Sequence, residues 1–276
     1  MQNETIKTAL IHRLLPGPQF ISDIVEELSV LLHVTPQGVY KALRALRRAE
    51  VVSVHNKQVS LSLIWISKEK EKMIFAESAY RSVPYIEELL KGSKKHNSWT
   101  FHTLNELDLF WTHTYTLCME QVDIHVPTYS IQPHDWYSYV RTETDLYWVQ
   151  KHRDSSRLSR TLLTHSGELD REVMRMRKQS LGGLFEYTLN ENPLKQKNTV
   201  YYNIIGPYLF TAIFDAKVAL MLEEFISSYT TLPLTGDGQS RIDAIVQEKG
   251  NFKLTLSYSE KKTREMEKKI KKYFEF

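Results

Sequence analysis

The sequence predicts an α+β / α/β two-domain protein: a small helical N-terminal domain closed by a β-hairpin, a helical linker, and a larger C-terminal α/β layered domain. Three observations predict it. Residues 35 to 62, TPQGVYKALRALRRAEVVSVHNKQVSLS, read as a capped helix that runs into two short strands. Residues 67 to 97 switch to a charge-rich helical stretch ending in KGSKKHN. From about residue 98 to 276, helical and extended patterns alternate, as in a layered α/β domain. With 276 residues, 42% hydrophobic and 25% charged, the chain has enough apolar material for two packed cores.

In the first domain, residues 1 to 66, NETIKTALIHRLLPG places Ile6, Leu10, Ile11 and Leu14 at helical spacing and stops at Pro16-Gly17. ISDIVEELSVLLHV repeats the pattern with Ile21, Ile24, Val25, Leu28 and Leu31. Thr35 then supplies an N-cap and Pro36 fills the first helical position, where its missing N–H costs nothing. At about 100° per residue, Val39, Ala42, Leu43 and Leu46 gather on one face. Gln37, Lys41, Arg44 and Arg48 gather opposite, with Tyr40 and Arg47 on a flank. VVSVH and VSLSLIW alternate as strands around a polar tip, Asn56-Lys57-Gln58. Between residues 35 and 60, five cations (Lys41, Arg44, Arg47, Arg48, Lys57) stand against Glu50 alone, a local charge of +4 that exceeds the +3 of the whole chain.

Helix, helix, tight turn, capped helix and hairpin follow in the order of the helix-turn-helix arrangement. Residues 3 to 66 resemble the winged helix-turn-helix transcriptional regulators. The resemblance implies binding to double-stranded DNA, with the capped helix in the major groove. Gln37, Lys41 and Arg44 are then the candidate base readers. Thr35, Tyr40, Arg48 and Lys57 are the candidate phosphate contacts.

The linker, SKEKEKMIFAESAYRSVPYIEELLKGSKKHN, has a charged start and apolar Met73, Ile74, Phe75 and Ala79. Pro84 breaks it, Ile86, Leu89 and Leu90 resume it, and KGSKKHN makes a joint. Its pattern fits a helix packed on one domain, or equally an arm that holds a homodimer at the spacing of two half-sites.

Residues 98 to 276 are expected to alternate as follows. LNELDLFWTHTYTLCMEQ is helical, VDIHVPTYSI extended, TETDLYWVQKHRDSS helical and LSRTLLTH a strand. GELDREVMRMRKQSLGG is a helix stopped by Gly182-Gly183, and LFEYTL, VYYNIIG and YLFTAIF are strands. Asp215 caps AKVALMLEEFISSY, and FKLTLSYS and EKKTREMEKKIKKYF close the chain as strand and basic helix.

Catalytic signatures are missing from the sequence. The chain has no G-x-S-x-G, no Walker loop and no G-x-G-x-x-G. Its histidines, among them His96, His102, His113, His125, His134, His152 and His165, form no H-E-x-x-H, so no metal and no cofactor is expected. Cys118, the single cysteine, excludes an internal disulfide and suits a reducing compartment. Residues 1 to 15 carry Glu4, Lys7, His12 and Arg13, unlike a signal peptide, and no run is long and apolar enough for a membrane span. A cytoplasmic chain without a membrane partner is the expectation.

HDWYSYVRTETDL, SRTLLTH with GELDREVMRM, and YYNIIGPYLFTAIFDAKVALMLEEF are similar to the effector domains of TrmB-like regulators. Those have a phospholipase D-like α/β fold without catalysis. The signature of active phospholipase D enzymes, His-x-Lys followed four residues later by Asp, is absent here; the only His-x-Lys, His55-Asn56-Lys57, lies in the hairpin and has no Asp in place. The resemblance implies a non-enzymatic domain. His134, Trp136, Tyr137, Arg141 and Tyr202, with Asp135, Tyr139, Tyr201 and Asn203 among them, are the candidate pocket for a small-molecule effector. The same aromatics suit a core and a subunit contact. Two competing functions stay open: a nucleic-acid-processing enzyme, needing Asp123, His125, His134 and Asp135 to converge, and a winged-helix adaptor that binds protein.

Overall fold

The computed structural model describes residues 2–82, 96–165, 167–190, 197–234 and 236–274, and the chain divides into two compact units, Met1–Ser82 and Val83–Phe276. The smaller unit holds α1 (Gln2–Leu14), β1 (Gln19–Phe20), α2 (Ile21–Leu31), α3 (Pro36–Arg48), β2 (Val52–His55), β3 (Gln58–Leu61) and α4 (Leu63–Tyr80). Its core is the apolar stripe of each helix: Ile6, Leu10 and Leu14, then Ile24, Val25 and Leu28, then Val39, Ala42, Leu43 and Leu46, closed by Val51, Val52 and Val59. Leu31, expected in that stripe, is 65% exposed: it is the last residue of α2, whose buried stripe ends at Leu28.

Thr35 caps α3 through its hydroxyl, which accepts from Gly38 N at 3.3 Å. At the other end Glu50 N donates to Arg47 O and Val51 N to Leu46 O. That is a Schellman closure, with Val51 packed into the core alongside Leu46. The hairpin pairs His55 with Gln58, so its loop is Asn56-Lys57, both at positive φ (48° and 62°). Two residues in that conformation match the twist of the flanking strands. The hairpin is fixed to the helices by β1, which pairs antiparallel with β3, and by Ile21 N, which donates to Lys57 O at 2.9 Å. β1 has only two residues, too few to leave a periodic trace in the sequence. The second hairpin strand, expected through Trp65, ends at Leu61; Ser62 turns the chain and caps α4 by accepting from Trp65 N.

The larger unit contains β4 (His96–Thr103), α5 (Leu104–Glu120), β5 (Thr128–Gln132), α6 (Tyr137–Val140), α7 (Thr142–Ser155), β6 (Ser159–Leu163), α8 (Glu168–Leu181), β7 (Phe185–Leu189), β8 (Val200–Ile205), β9 (Tyr208–Ile213), α9 (Ala216–Ser228), α10 (Gly238–Gln247), β10 (Lys249–Tyr258) and α11 (Glu260–Lys271). The strands form one mixed sheet in the order β4-β10-β9-β8-β5-β6-β7. β5, β6 and β7 are parallel, and the rest pair antiparallel. α5 and α8 to α10 pack with the sheet face carrying Tyr201, Phe210, Phe252 and Leu254. The opposite face, with Tyr129, Ile131, Leu162, Ile204 and Leu209, is covered by Ile270 and Met266 of α11.

Three elements of the larger unit, β4, α6 and α10, have no counterpart in the expectation. His96 and Asn97, read as the end of a joint, already belong to β4, an edge strand whose residues alternate exposed and half-buried. α10 follows a Gly- and Asp-rich turn that masks its start, and was not expected at all. Pro84, Ile86, Leu89, Leu90 and the joint up to residue 95 lie outside the described residues.

Candidate functional site

Two arrangements stand out, one in each unit. On α3 the four apolar residues are buried, and Gln37, Lys41, Arg44, Arg47 and Arg48 are all exposed. Tyr40 is 44% exposed and Lys57 stands exposed at the hairpin tip. Among the described residues, no ion pair engages Lys41, Arg44, Arg47, Arg48 or Lys57. By contrast, Arg13 of α1 is held by Glu27 of α2 at 2.7 Å. The cations of α3 and the hairpin are thus left to solvent or to an anionic partner. Thr35 is already committed as a cap acceptor, so only its O–H is left to donate.

In the larger unit a cavity of about 160 Å³ opens between the sheet and its helices. Its floor is unusual for buried strands. Ser130 and Gln132 of β5, Ser159 and Thr161 of β6, and Asn203 of β8 point into it where apolar residues normally sit. Phe185 and Tyr187 of β7 complete the floor. α5 contributes Asp108, Trp111, Thr112 and Tyr115; α7 contributes Asp145, Trp148, Val149 and His152; α8 contributes Arg177. Asp135, Trp136 and Tyr137 enter from the turn after β5.

The charges around this cavity are largely desolvated. Arg177 donates through Nη2 to Ser138 Oγ (3.0 Å) and to Asp145 Oδ1. Tyr187 OH donates to Asp135 Oδ2 at 2.8 Å. Burial pushes the Asp145 carboxyl up to about 6; Arg177 opposes that shift and the Asp135 charge adds to it. Asp135 and Asp108 are also raised by burial, against the pull of Arg177 and Arg141 respectively. Two carboxyls around one guanidinium thus keep a proton further toward neutral pH than a free pair would. His152 is lowered, first by burial and then by Arg157 and Arg177. Its Nδ1 lies 2.9 Å from Trp148 O, which only accepts, so the proton sits on Nδ1 and Nε2 presents a lone pair.

Of the residues the sequence singled out for a pocket, Asp135, Trp136, Tyr137 and Asn203 reach this cavity. His134, Arg141 and Tyr202 do not. His134 lies between Asp170 Oδ2 (2.7 Å) and Glu223 Oε2 (3.0 Å). Arg141 is bound by Asp108 at 2.7 Å and by Asn105. Tyr202 follows Tyr201 on a strand and therefore faces the other side of the sheet, against the α11 cluster. Tyr201 itself stacks on Phe214 in the core at 4.1 Å, and Tyr139 is buried beside Phe225.

Asp145, His152, Arg177, Ser159 and Thr161 were missed. The available signal was the run of hydroxyls at alternate positions of TYSIQ and SRTLL, in strands apolar on the other face.

Asp123, His125, His134 and Asp135 do not converge. The first two precede β5, where Asp123 Oδ1 accepts from His125 N, and the other two follow it. Five residues of strand separate them by roughly 16 Å at about 3.3 Å each. No group of three or more His, Cys, Asp or Glu suited to a metal occurs among the described residues. Cys118 is buried, and burial pushes its thiol up to about 12, far from a nucleophile's range. Among the described residues, no helix is long and apolar enough to cross a membrane.

No protein-family model matches the chain, and no curated protein is recognisably similar to it. Among solved structures, one described as that of TrmBL2, an archaeal chromatin protein with a novel mode of DNA binding, aligns over 98% of this chain and 91% of that one. The two are 12% identical with a TM-score of 0.35, too low for the likeness to carry an argument about this chain.

Proposed function

We propose that this protein is a sequence-specific DNA-binding transcriptional regulator that works as a homodimer, with residues 1 to 66 acting as a winged helix-turn-helix. One observation carries the reading: α3 is locked at both ends, buries only its apolar stripe, and leaves Gln37, Lys41, Arg44 and Arg48 exposed and free of ion pairs. A helix of that kind fits the major groove, where cations meet phosphates and polar side chains reach base edges. Gln37, Lys41 and Arg44 read bases; Thr35, Tyr40, Arg48 and Lys57 hold phosphates. The larger unit carries no catalysis in this reading and senses an effector.

α4 supports the dimer. None of its 18 residues is buried. Ile66 and Met73 stand one heptad apart, flanked by exposed Ile74 and Phe75. A second copy of the same helix is the partner that such a seam fits.

The test is selection of bound duplexes from a random pool, followed by titration of the selected site. A palindromic motif is expected, since two-fold protein symmetry is mirrored in the operator. The double change Lys41→Ala and Arg44→Ala should weaken binding by at least ~30-fold, given about 1–3 kcal/mol for each good base contact. Unchanged affinity in that variant would overturn the proposal, and protein capture without DNA affinity would make the chain an adaptor instead.

A further inference from the structure

We propose that the cavity under α5, α7 and α8 is a binding site for a small zwitterion, an α-amino acid. Its ammonium would face Asp135, Asp145 and His152, and its carboxylate would face Arg177. The ligand binding stands on the cavity alone; only its consequence for DNA rests on the regulator reading.

Three buried polar atoms of residues that line the cavity have no partner: His152 Nε2, Arg177 Nε and the Tyr137 hydroxyl, which can donate or accept. His152 and Arg177 are 6% and 8% exposed, yet His152 Nε2 and Arg177 Nε make no hydrogen bond. Leaving such groups unpaired in a folded interior costs about 1–3 kcal/mol each, so their natural complement is a bound molecule. The imidazole and guanidinium atoms have opposite needs. The imidazole Nε2 is an acceptor and requires a donor, whereas the guanidinium Nε is a donor and requires an acceptor. The same wall also carries both signs of charge: Asp108, Asp135 and Asp145 against Arg177, with Arg141 engaged on Asp108 from outside.

Simple ions fit this wall poorly. A plain cation would leave Arg177 Nε unsatisfied and meet its charge. A plain anion would face three carboxyls. A zwitterion satisfies both halves, because a carboxylate suits the guanidinium edge and an ammonium offers donors to imidazole and carboxylate together. Size sets the class further. A cavity of about 160 Å³ equals the share of roughly five waters at ~30 Å³ each, room for a compact amino acid. Trp111, Trp136 and Trp148 supply apolar walls for an aliphatic side chain.

Calorimetric titration of the full chain at pH 7.5, without DNA, tests the site with L-alanine, L-valine and L-leucine. Isobutylamine is valine without its carboxylate, isovalerate is valine without its ammonium, and xylitol is a neutral polyol; these three are the controls. At least one amino acid should bind, and each control at least tenfold more weakly. Asp135→Asn and Arg177→Lys should each weaken the amino acid at least tenfold. Should either variant fail to fold, Ser159→Val, which occupies floor space without touching a charge, should abolish binding while circular dichroism stays unchanged. The proposal falls if no amino acid of the set binds, if any control matches the amino acid, or if Ser159→Val folds and binds normally. Loss of DNA binding elsewhere leaves this titration untouched, so the two readings fail separately.

Discussion

Both connections that bracket α3 turn on a residue in the left-handed region, and neither is glycine: His33 has φ 51° and Glu50 φ 60°. An L-residue there pays roughly 1–2 kcal/mol over glycine, partly offset by the greater freedom glycine has when unfolded. Glu50 also places negative charge where the helix dipole is already negative. Glu50→Gly is therefore expected to stabilise the smaller unit by about 1 kcal/mol, read as a rise in urea midpoint with unchanged slope. A fall in midpoint would mean the Glu50 side chain makes a contact that this geometry does not contain. Residue by residue, the α3 face was legible because an amphipathic helix sorts its side chains by a fixed angle: Val39, Ala42, Leu43 and Leu46 are buried, and Lys41 and Arg44 are exposed. The cavity was much less legible. Tyr201 and Tyr202 are alike in chemistry and adjacent in sequence, yet the strand sends them to opposite faces. Arg177 and Asp145 meet only because two crossovers bring α7 and α8 together, a contact across 32 positions that local pattern does not encode.

At the scale of elements, the exit of β5 is tied to α8 and α9 through one imidazole. Asp170, fully buried in the first turn of α8, accepts from His134 Nδ1, from Asp135 N (3.1 Å) and from Gly167 N (3.2 Å). Glu223 of α9 takes the other His134 nitrogen. Burial alone would lower His134, but hydrogen bonds to the two carboxylates and their charge outweigh it, and the imidazole is pushed up to about 9. Glu223 is correspondingly lowered by its bond to His134. The folded value of His134 lies above the unfolded one, so its stabilisation is complete below about pH 6.5 and disappears as pH rises through about 9. A shift of that size corresponds to on the order of 3 kcal/mol. Urea unfolding followed between pH 6.5 and 10 should show this loss, and His134→Gln should flatten that part of the profile. An unaltered profile in the variant would mean that the ties among β5, α8 and α9 do not depend on the imidazolium. Elements with their own periodicity, such as α5, α8 and α9, were readable from sequence. β1 is too short, α10 starts in a turn-rich segment, and β4 lies at an edge where alternation is only half-buried against exposed.

For the molecule as a whole, the decisive quantity is the free energy that links its two proposed sites. The N-terminal site announces itself in sequence, because a local charge of +4 in a chain of net +3 is a deviation visible without coordinates. The cavity leaves no such mark; its charges are contributed singly by distant elements. If the amino acid regulates DNA binding, it must bind the two DNA-affinity states unequally, and the coupling must be reciprocal. A coupling of about 1–3 kcal/mol would change DNA affinity by roughly 5- to 150-fold, and saturating operator would change amino-acid affinity by the same factor. Anisotropy titrations of operator with and without the amino acid give one side of that cycle, and calorimetry with and without operator gives the other. The salt dependence must be handled separately. Each phosphate contact contributes a slope of about −0.9 in log K against log salt, so Arg48→Ala with Lys57→Ala should reduce its magnitude by about 2 for each protomer. That change should be the same for selected and random duplexes, whereas the effect of the amino acid should fall more heavily on the selected site. Equal factors on the two sides of the cycle at one salt concentration would establish linkage. Operator affinity unmoved by an amino acid that calorimetry shows to bind would leave the cavity a ligand site without a regulatory role.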